Sequence, residues 1–292
     1  VRIYEIMFPH GDAITFANWF FFAFPASLLI FLASLLLLHK IYSPKRGLEK
    51  LPKSFFKVKY SDLGPVSYEE KRVFVLFILL ILLWIFRADI ELGPFKIPGW
   101  SSAFHIPEYI NDGTIAIFMA LLLFITPSSK KNEALVNWQV AKDIPWHIVL
   151  LFGGGFALAG AFVESGLSKF IGTLLVENTQ FSQTGFMVMI TALMSVLTEF
   201  TSNVATAEMM LPVVGGLSEQ LNANPLFLMI PITMAASMAF MFPIATPPNA
   251  IVYGTGKLTM KQMATTGFIL NFLAIAIICL FTMFWGPVVF NF

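Results

Sequence analysis

The chain has 292 residues, 57% of them hydrophobic and only 12% charged, with a formal net charge of +1 at neutral pH. A soluble domain carries about 25% charged residues. Together with a mean hydropathy of +0.78, this composition excludes an ordinary soluble domain and indicates an all-α polytopic membrane protein. Nothing in it points to a nucleic-acid partner, and the single cysteine, Cys279, excludes an internal disulfide or a thiolate metal site.

In chain order, apolar segments run over residues 14–38, 73–86, 113–126, 144–163, 181–197, 204–218, 225–242 and 264–290. They predict about six transmembrane helices, one re-entrant helical hairpin and one proline-broken helix. Residues 40–72 form the long hydrophilic connector. It holds nine of the 18 Lys and Arg residues: Lys40, Lys45, Arg46, Lys50, Lys53, Lys57, Lys59, Lys71 and Arg72. Positive charge collects on the cytoplasmic side of a membrane, so this connector is expected in the cytoplasm. Such a loop can also bind anionic headgroups, although more often it only sets topology. The stretch 87–112, with Arg87 and Lys96 against Asp89, Glu91, Glu108 and Asp112, then falls outside, and Lys130, Lys131 and Lys142 return inside. Lys257 and Lys261 are inside too, provided that 181–197 and 204–218 together return to the side they left.

Those two arms span about 22–26 Å at ~1.5 Å per residue, short of a ~30 Å hydrocarbon core. No Lys or Arg anchors the turn between them. Length therefore favours a re-entrant hairpin with its tip near mid-membrane over two full spans. The tip, "LTEFTSNVATAEMMLP" (197–212), packs Thr198, Glu199, Thr201, Ser202, Asn203, Thr206 and Glu208 between apolar arms. Farther on, Pro243, Pro247 and Pro248 interrupt the segment 225–259. Proline lacks the N–H of a helical turn, so the helix is expected to stop near Phe242 and unwind through 243–246. Thr246 then serves as a hydroxyl N-cap with proline at the first position of the next helix.

Non-helical backbone at membrane depth is tolerated only where protein buries it or water lines it. Two such places, 201–203 and 243–246, point to one shared site. At a hairpin tip the first arm ends on carbonyls that favour a cation, and the second begins on free N–H groups that favour an anion. Oxygens of Thr198, Ser202 and Asn203 are hard, mostly neutral ligands that suit Na⁺. The competing explanation is that these hydroxyls only bond back to carbonyls of their own helices; the second broken element weighs against it. Glu199 and Glu208 flank the tip, and carboxylates at this depth face cavities or partners. Glu199 is expected to anchor the tip by hydrogen bonds rather than to couple a proton or ion. Gly153, Gly154 and Gly155 read as close helix packing, because no Lys-Ser/Thr follows them as in a phosphate loop. His10, His39, His105 and His147 form no metal spacing, and Trp19, Trp84, Trp138, Trp146 and Trp285 read as interfacial residues. The absence of a buried nucleophile–base pair argues against an enzyme.

The pairing of "TEFTSNVATAEMMLP" with "FMFPIATPPNAIVYG" roughly 40 residues later resembles the second half of the divalent anion/sodium symporter family. These are the sodium-coupled di- and tricarboxylate transporters and their sulfate-carrying relatives. The family pattern is a Ser-Asn-Thr hairpin tip and a Thr-Pro-Pro break, each present twice in inverted repeats. Here Ser202-Asn203-Val204 and Thr246-Pro247-Pro248-Asn249 occur once each, with Val204 in place of the third-position Thr. The resemblance covers the whole chain and implies one repeat of an inverted-repeat elevator transporter. In it, 1–39 is a first transport-domain helix, 40–72 the cytoplasmic basic connector and 73–175 a dimer-forming scaffold. Residues 176–292 are the re-entrant hairpin, broken helix and last helix of the transport domain. By the same resemblance, Ser202, Asn203, Val204, Thr246 and Pro247 surround the substrate anion. The coupling ion, Na⁺, lies among Thr198, the Thr201 backbone, Asn203 and the Ala245 carbonyl. Independently of the resemblance, Glu199 and Asn249 are expected to support the site from behind. The implied function is Na⁺-coupled uptake of a divalent anion by a homodimer in the lipid of a bacterial inner membrane. The leading substrate is a C4-dicarboxylate such as succinate, and sulfate is the alternative. Because the first hairpin and first broken helix are missing from it, the sequence is expected to be partial and not to transport alone. The alternative of another class is a structural half-protein that assembles with a separate first half.

Overall fold

A computed structural model describes residues 1–42, 52–92, 95–104, 109–130, 133–143, 146–177 and 181–290. Lys45, Arg46 and Lys50 of the basic connector, together with His105, Glu108 and Lys131, lie outside the described residues, as do the side chains of Glu91, Lys96, Trp146 and His147.

The helices in chain order are α1 (Arg2–Met7), α2 (Phe16–Tyr42), α3 (Lys53–Asp62), α4 (Tyr68–Ile85), α5 (Asp112–Ile125), α6 (Trp138–Lys142) and α7 (Trp146–Glu164). They continue as α8 (Leu167–Glu177), α9 (Gln183–Leu197), α10 (Asn203–Gln220), α11 (Pro225–Ala235), α12 (Pro247–Gly254), α13 (Met260–Phe284) and α14 (Gly286–Phe290). A short antiparallel ribbon of β1 (Ile90–Leu92) and β2 (Phe95–Ile97) is added to the expected all-α chain. Two compact units result: Val1–Ile14, Asn18–Leu38 and Pro145–Phe292 in one, Thr15–Ala17 and His39–Ile144 in the other.

In the smaller unit α4 begins on a capping box. The Ser67 hydroxyl accepts from the Glu70 N–H at 3.2 Å, and the Glu70 carboxylate accepts from the Ser67 N–H at 2.6 Å. Antiparallel α4 and α5 are tied at both ends. Arg87 Nε donates to Asp112 at 2.5 Å and the Trp84 indole to the Asp112 carbonyl at 3.0 Å. At the opposite end Glu69 accepts from the Ser128 hydroxyl at 2.9 Å and the Ser129 N–H at 2.8 Å.

In the larger unit, α2 and α13 are the two described helices that are singly long and apolar enough to cross a membrane. Their outward side chains are greasy: Phe31 is 61% and Phe272 68% exposed, as a lipid-facing surface requires. Helices α7 and α8 form a pair bent by 68°. Gly166 stands in the bend with φ +72°, a left-handed conformation that glycine adopts without strain. Segment reading by hydropathy stopped at 163 and did not separate α8. That helix crosses α10 closely, since a Cβ on Gly216 would lie 2.3 Å from the Ser168 carbonyl. Among the described residues, Gly155 faces a neighbour while Gly153 and Gly154 have nothing within 4 Å, so the expected packing role is seen at one of the three consecutive glycines. Helices α9, α11 and α13 pack on one another through buried Phe186, Met194, Leu228, Ile232 and Ile278.

The broken element differs from expectation in where it breaks. Helix α11 ends at Ala235, well before Phe242, and regular helix resumes only at Pro247.

Candidate functional site

Residues 236–246 have left the helix, so their backbone groups need other partners. The tip of the α9–α10 hairpin supplies many of them. Glu199, 1% exposed, accepts from the N–H of Phe240 at 2.8 Å, of Met241 at 2.9 Å and of Phe242 at 3.1 Å. The side-chain amide of Asn271 on α13 adds a fourth donor at 2.7 Å. In a continued helix those three N–H groups would bond to the carbonyls of residues 236–238. Two of these carbonyls are taken as well: the Thr198 hydroxyl meets that of Ala236 at 2.5 Å, and the Ser195 hydroxyl donates to that of Met238 at 3.3 Å. The hairpin has thus taken over three N–H groups and two carbonyls of a helical turn, which is why the break comes before the prolines. Four donors also stabilise a carboxylate whose burial alone would be very unfavourable. Asn249 of α12 donates to the carbonyls of Ala239 and Phe242 at 2.8 and 3.1 Å. From the other side α13 presses close, because a Cβ on Gly267 would fall 2.3 Å from the Phe240 carbonyl oxygen. The Phe200 and Phe242 rings, 5.2 Å apart, complete the contact.

At the tip itself, α9 ends at Leu197 and α10 begins at Asn203, with Ser202 in the N-cap position. The carbonyls of Val196 and Leu197 accept the N–H groups of Glu199 and Phe200 at 3.3 and 3.1 Å. The turn thereby consumes part of the carbonyl end that was expected to stay open. The opposite end does stay open. The Ser202 hydroxyl makes no capping bond, and the N–H groups of Asn203, Val204 and Ala205 have no acceptor among the described residues. Such a helix end attracts negative charge.

The hydroxyls divide into two kinds. Thr201 donates to the Leu197 carbonyl and Thr206 to the Ser202 carbonyl, both at 2.8 Å, and their oxygens touch. These two bond back to their own chain, as the competing explanation has it. Thr198 does not: its buried hydroxyl meets the Asn203 side-chain oxygen at 2.6 Å as well as the Ala236 carbonyl. One hydroxyl carries one proton, so three oxygens from the tip, α10 and the unwound chain converge with a single hydrogen among them. Hard, neutral oxygens in that arrangement fit an alkali cation.

Of the residues singled out by sequence, Thr198 and Asn203 meet at the unwound chain, and Glu199 and Asn249 bond to it. Thr246 caps α12 by accepting the Asn249 N–H at 3.4 Å, and Pro247 is the first residue of that helix. The Ala245 N–H donates to the Phe242 carbonyl at 3.2 Å. Among the described residues no hydrogen bond joins Ser202 or Val204 to Ala245, Thr246 or Pro247. Sequence reasoning missed Ser195, the Ala236 carbonyl and Asn271. The last had a signal, a lone amide within "FILNFLAIAI"; a backbone carbonyl has none.

Comparison with known proteins places the chain in a family. Residues 3–292 match the family described as the sodium:sulfate symporter transmembrane region. The sodium-dependent dicarboxylate transporter SdcS of Staphylococcus saprophyticus is 40% identical over 282 residues, 95% of this chain and 52% of the relative. Its namesake in Staphylococcus aureus strain NCTC 8325 is 40% identical over 283 residues, 96% of this chain and again 52% of the relative. The chain therefore spans about half the length of the curated relatives it matches. With a match that covers nearly all of its residues, the chain belongs to the sodium:sulfate symporter transmembrane-region family of integral membrane proteins.

Proposed function

We propose that this chain provides one jaw of the ion and anion site of a sodium-coupled secondary transporter of divalent anions, foremost C4-dicarboxylates such as succinate. The observation that carries this reading is the open amide end of α10 beside the oxygens of Thr198, Asn203 and Ala236. The names of the relatives, sodium-dependent dicarboxylate transporters, support it.

In this reading the N–H groups at the start of α10, the Ser202 hydroxyl and the Asn203 amide hold a substrate carboxylate, with Val204, Thr246 and Pro247 shaping the same pocket. Thr198, the Thr201 backbone, Asn203 and the Ala245 carbonyl would hold Na⁺, and the Ala236 carbonyl joins that set. Bound there, Na⁺ supplies positive charge next to the anion. Glu199 and Asn249 keep the unwound chain in register behind the ligands. The hairpin is re-entrant, with 1–39 and 176–292 moving in elevator fashion against a homodimeric scaffold of 73–175. Connector 40–72 is cytoplasmic and the membrane is a bacterial inner membrane.

The test is uptake of labelled succinate by the full-length protein in proteoliposomes, with a Na⁺ gradient or a choline gradient. Uptake is expected with Na⁺ alone, and Asn203→Ala is expected to abolish it. Near wild-type uptake by Asn203→Ala would refute a ligand role for that amide. The family description names sulfate, and the same N–H and hydroxyl groups suit it; labelled sulfate taken up faster than succinate would favour that second reading.

A further inference from the structure

Helix α10 carries a second carboxylate, Glu208, that the site described above leaves unused. It is 6% exposed, and its Oε1 is buried with no hydrogen-bond partner. Where Glu199 has four donors, Glu208 has none among the described residues. Its carboxyl group lies directly against Gly155 of α7: a Cβ there would fall 2.1 Å from Oε2 and 2.2 Å from Cδ. Glu208 also lines a cavity of about 320 Å³ that reaches Asn203 and Val204, the start of the same helix. The charged side chain sharing this cavity is Arg2 of α1, which is paired with Glu5 at 3.4 Å, and the Val1 end of the chain adjoins it. Helix α7 contributes Phe152 and Phe156, and α11 with the residues after it contributes Thr233, Ala236 and Ser237. Glu164 of α7 and Lys169 and Glu177 of α8 line no part of it.

A buried carboxylate with no hydrogen-bond donor is unfavourable while it is charged. A metal ion requires several oxygens around it, and the α7 wall offers two phenyl rings. A proton needs one carboxylate oxygen. An anion on the open amides of α10 would repel a charged Glu208 only a few residues along the helix, through a poorly screened cavity. We propose that Glu208 is a proton-binding site coupled to the anion: it takes a proton from bulk solvent when an anion occupies the start of α10 and returns it when the anion leaves. By reciprocity, a proton on Glu208 strengthens anion binding. The coupling rests on the anion site proposed above; the proton site does not.

Calorimetry of succinate binding to the full-length protein in Na⁺, in two buffers of different ionisation enthalpy, measures the coupling. At neutral pH and above, wild type is expected to take up protons on binding and to lose succinate affinity as pH rises, up to roughly tenfold per pH unit. Glu208→Gln, which imitates the acid form, is expected to bind with no proton uptake and no such slope. Infrared spectra should show a protonated carboxyl band in succinate-bound wild type that is missing from Glu208→Gln. Proton uptake or a carboxyl band that persists unchanged in the variant would overturn the proposal. Should Glu208→Gln fail to fold, Glu208→Met, uncharged and of similar length, serves in its place. If succinate gives no binding heat, the anion reading fails, and an infrared pH titration of the free protein then decides the proton site alone. A band lost with the substitution upholds it, and a band common to both proteins overturns it.

Discussion

Glu199 earns its place in the fold through the donors around it. Glu199→Ala would strand three part-buried backbone N–H groups at 240–242, each costing about 1–3 kcal/mol when left unpaired away from water. Thermal unfolding in detergent should therefore shift down strongly, by ~3 kcal/mol or more in total. Glu199→Gln keeps the shape but turns an amide NH₂ towards those donors, and should fall between alanine and wild type. A glutamine variant as stable as wild type would mean that the carboxylate does not hold the unwound segment. Polar residues inside apolar arms are conspicuous, which is why Thr198, Glu199 and Asn203 could be picked out of the sequence. The Ala236 carbonyl could not, because every residue has one and only the fold decides which is left for a ligand. Ser202 was legible by type as a cap, yet its hydroxyl makes no capping bond, which leaves open the one α10 amide that such a cap would take.

Among the elements, the restart of the broken helix was written locally: Thr246 followed by two prolines gives the cap and the first turn of α12. The end of α11 was not. It depends on a carboxylate some forty residues earlier, and hydropathy along 225–242 gives no hint that Glu199 will take the N–H groups of its last turn. The α7–α8 bend was signalled by Ser165-Gly166, which lie just past the end of the apolar segment 144–163. Close approach of α13 to the unwound chain at Gly267 gives a test at this scale. Gly267→Ala would put a Cβ 2.3 Å from a backbone oxygen, and such overpacking costs about 1–3 kcal/mol. Gly153→Ala, at a position with nothing within 4 Å among the described residues, is the control and should leave the unfolding midpoint nearly unchanged. Equal effects from the two substitutions would contradict the packing described for α13.

For the molecule as a whole, composition alone established the membrane class, since it reflects solvent rather than any particular contact. The grouping of the chain into two compact units was beyond it, because it depends on contacts between distant segments such as 1–14 and 145–292. The central claim is that the hairpin tip holds Na⁺ and a divalent anion together and is exposed to each side of the membrane in turn. Val204→Cys in the full-length protein, with Cys279 and any other cysteine replaced by Ser, tests it most directly through the rate of modification by an impermeant thiol reagent. The account predicts labelling from both faces, slowed by succinate with Na⁺ present and by neither alone. Labelling from neither face, or a rate that ignores Na⁺ and succinate, would contradict it.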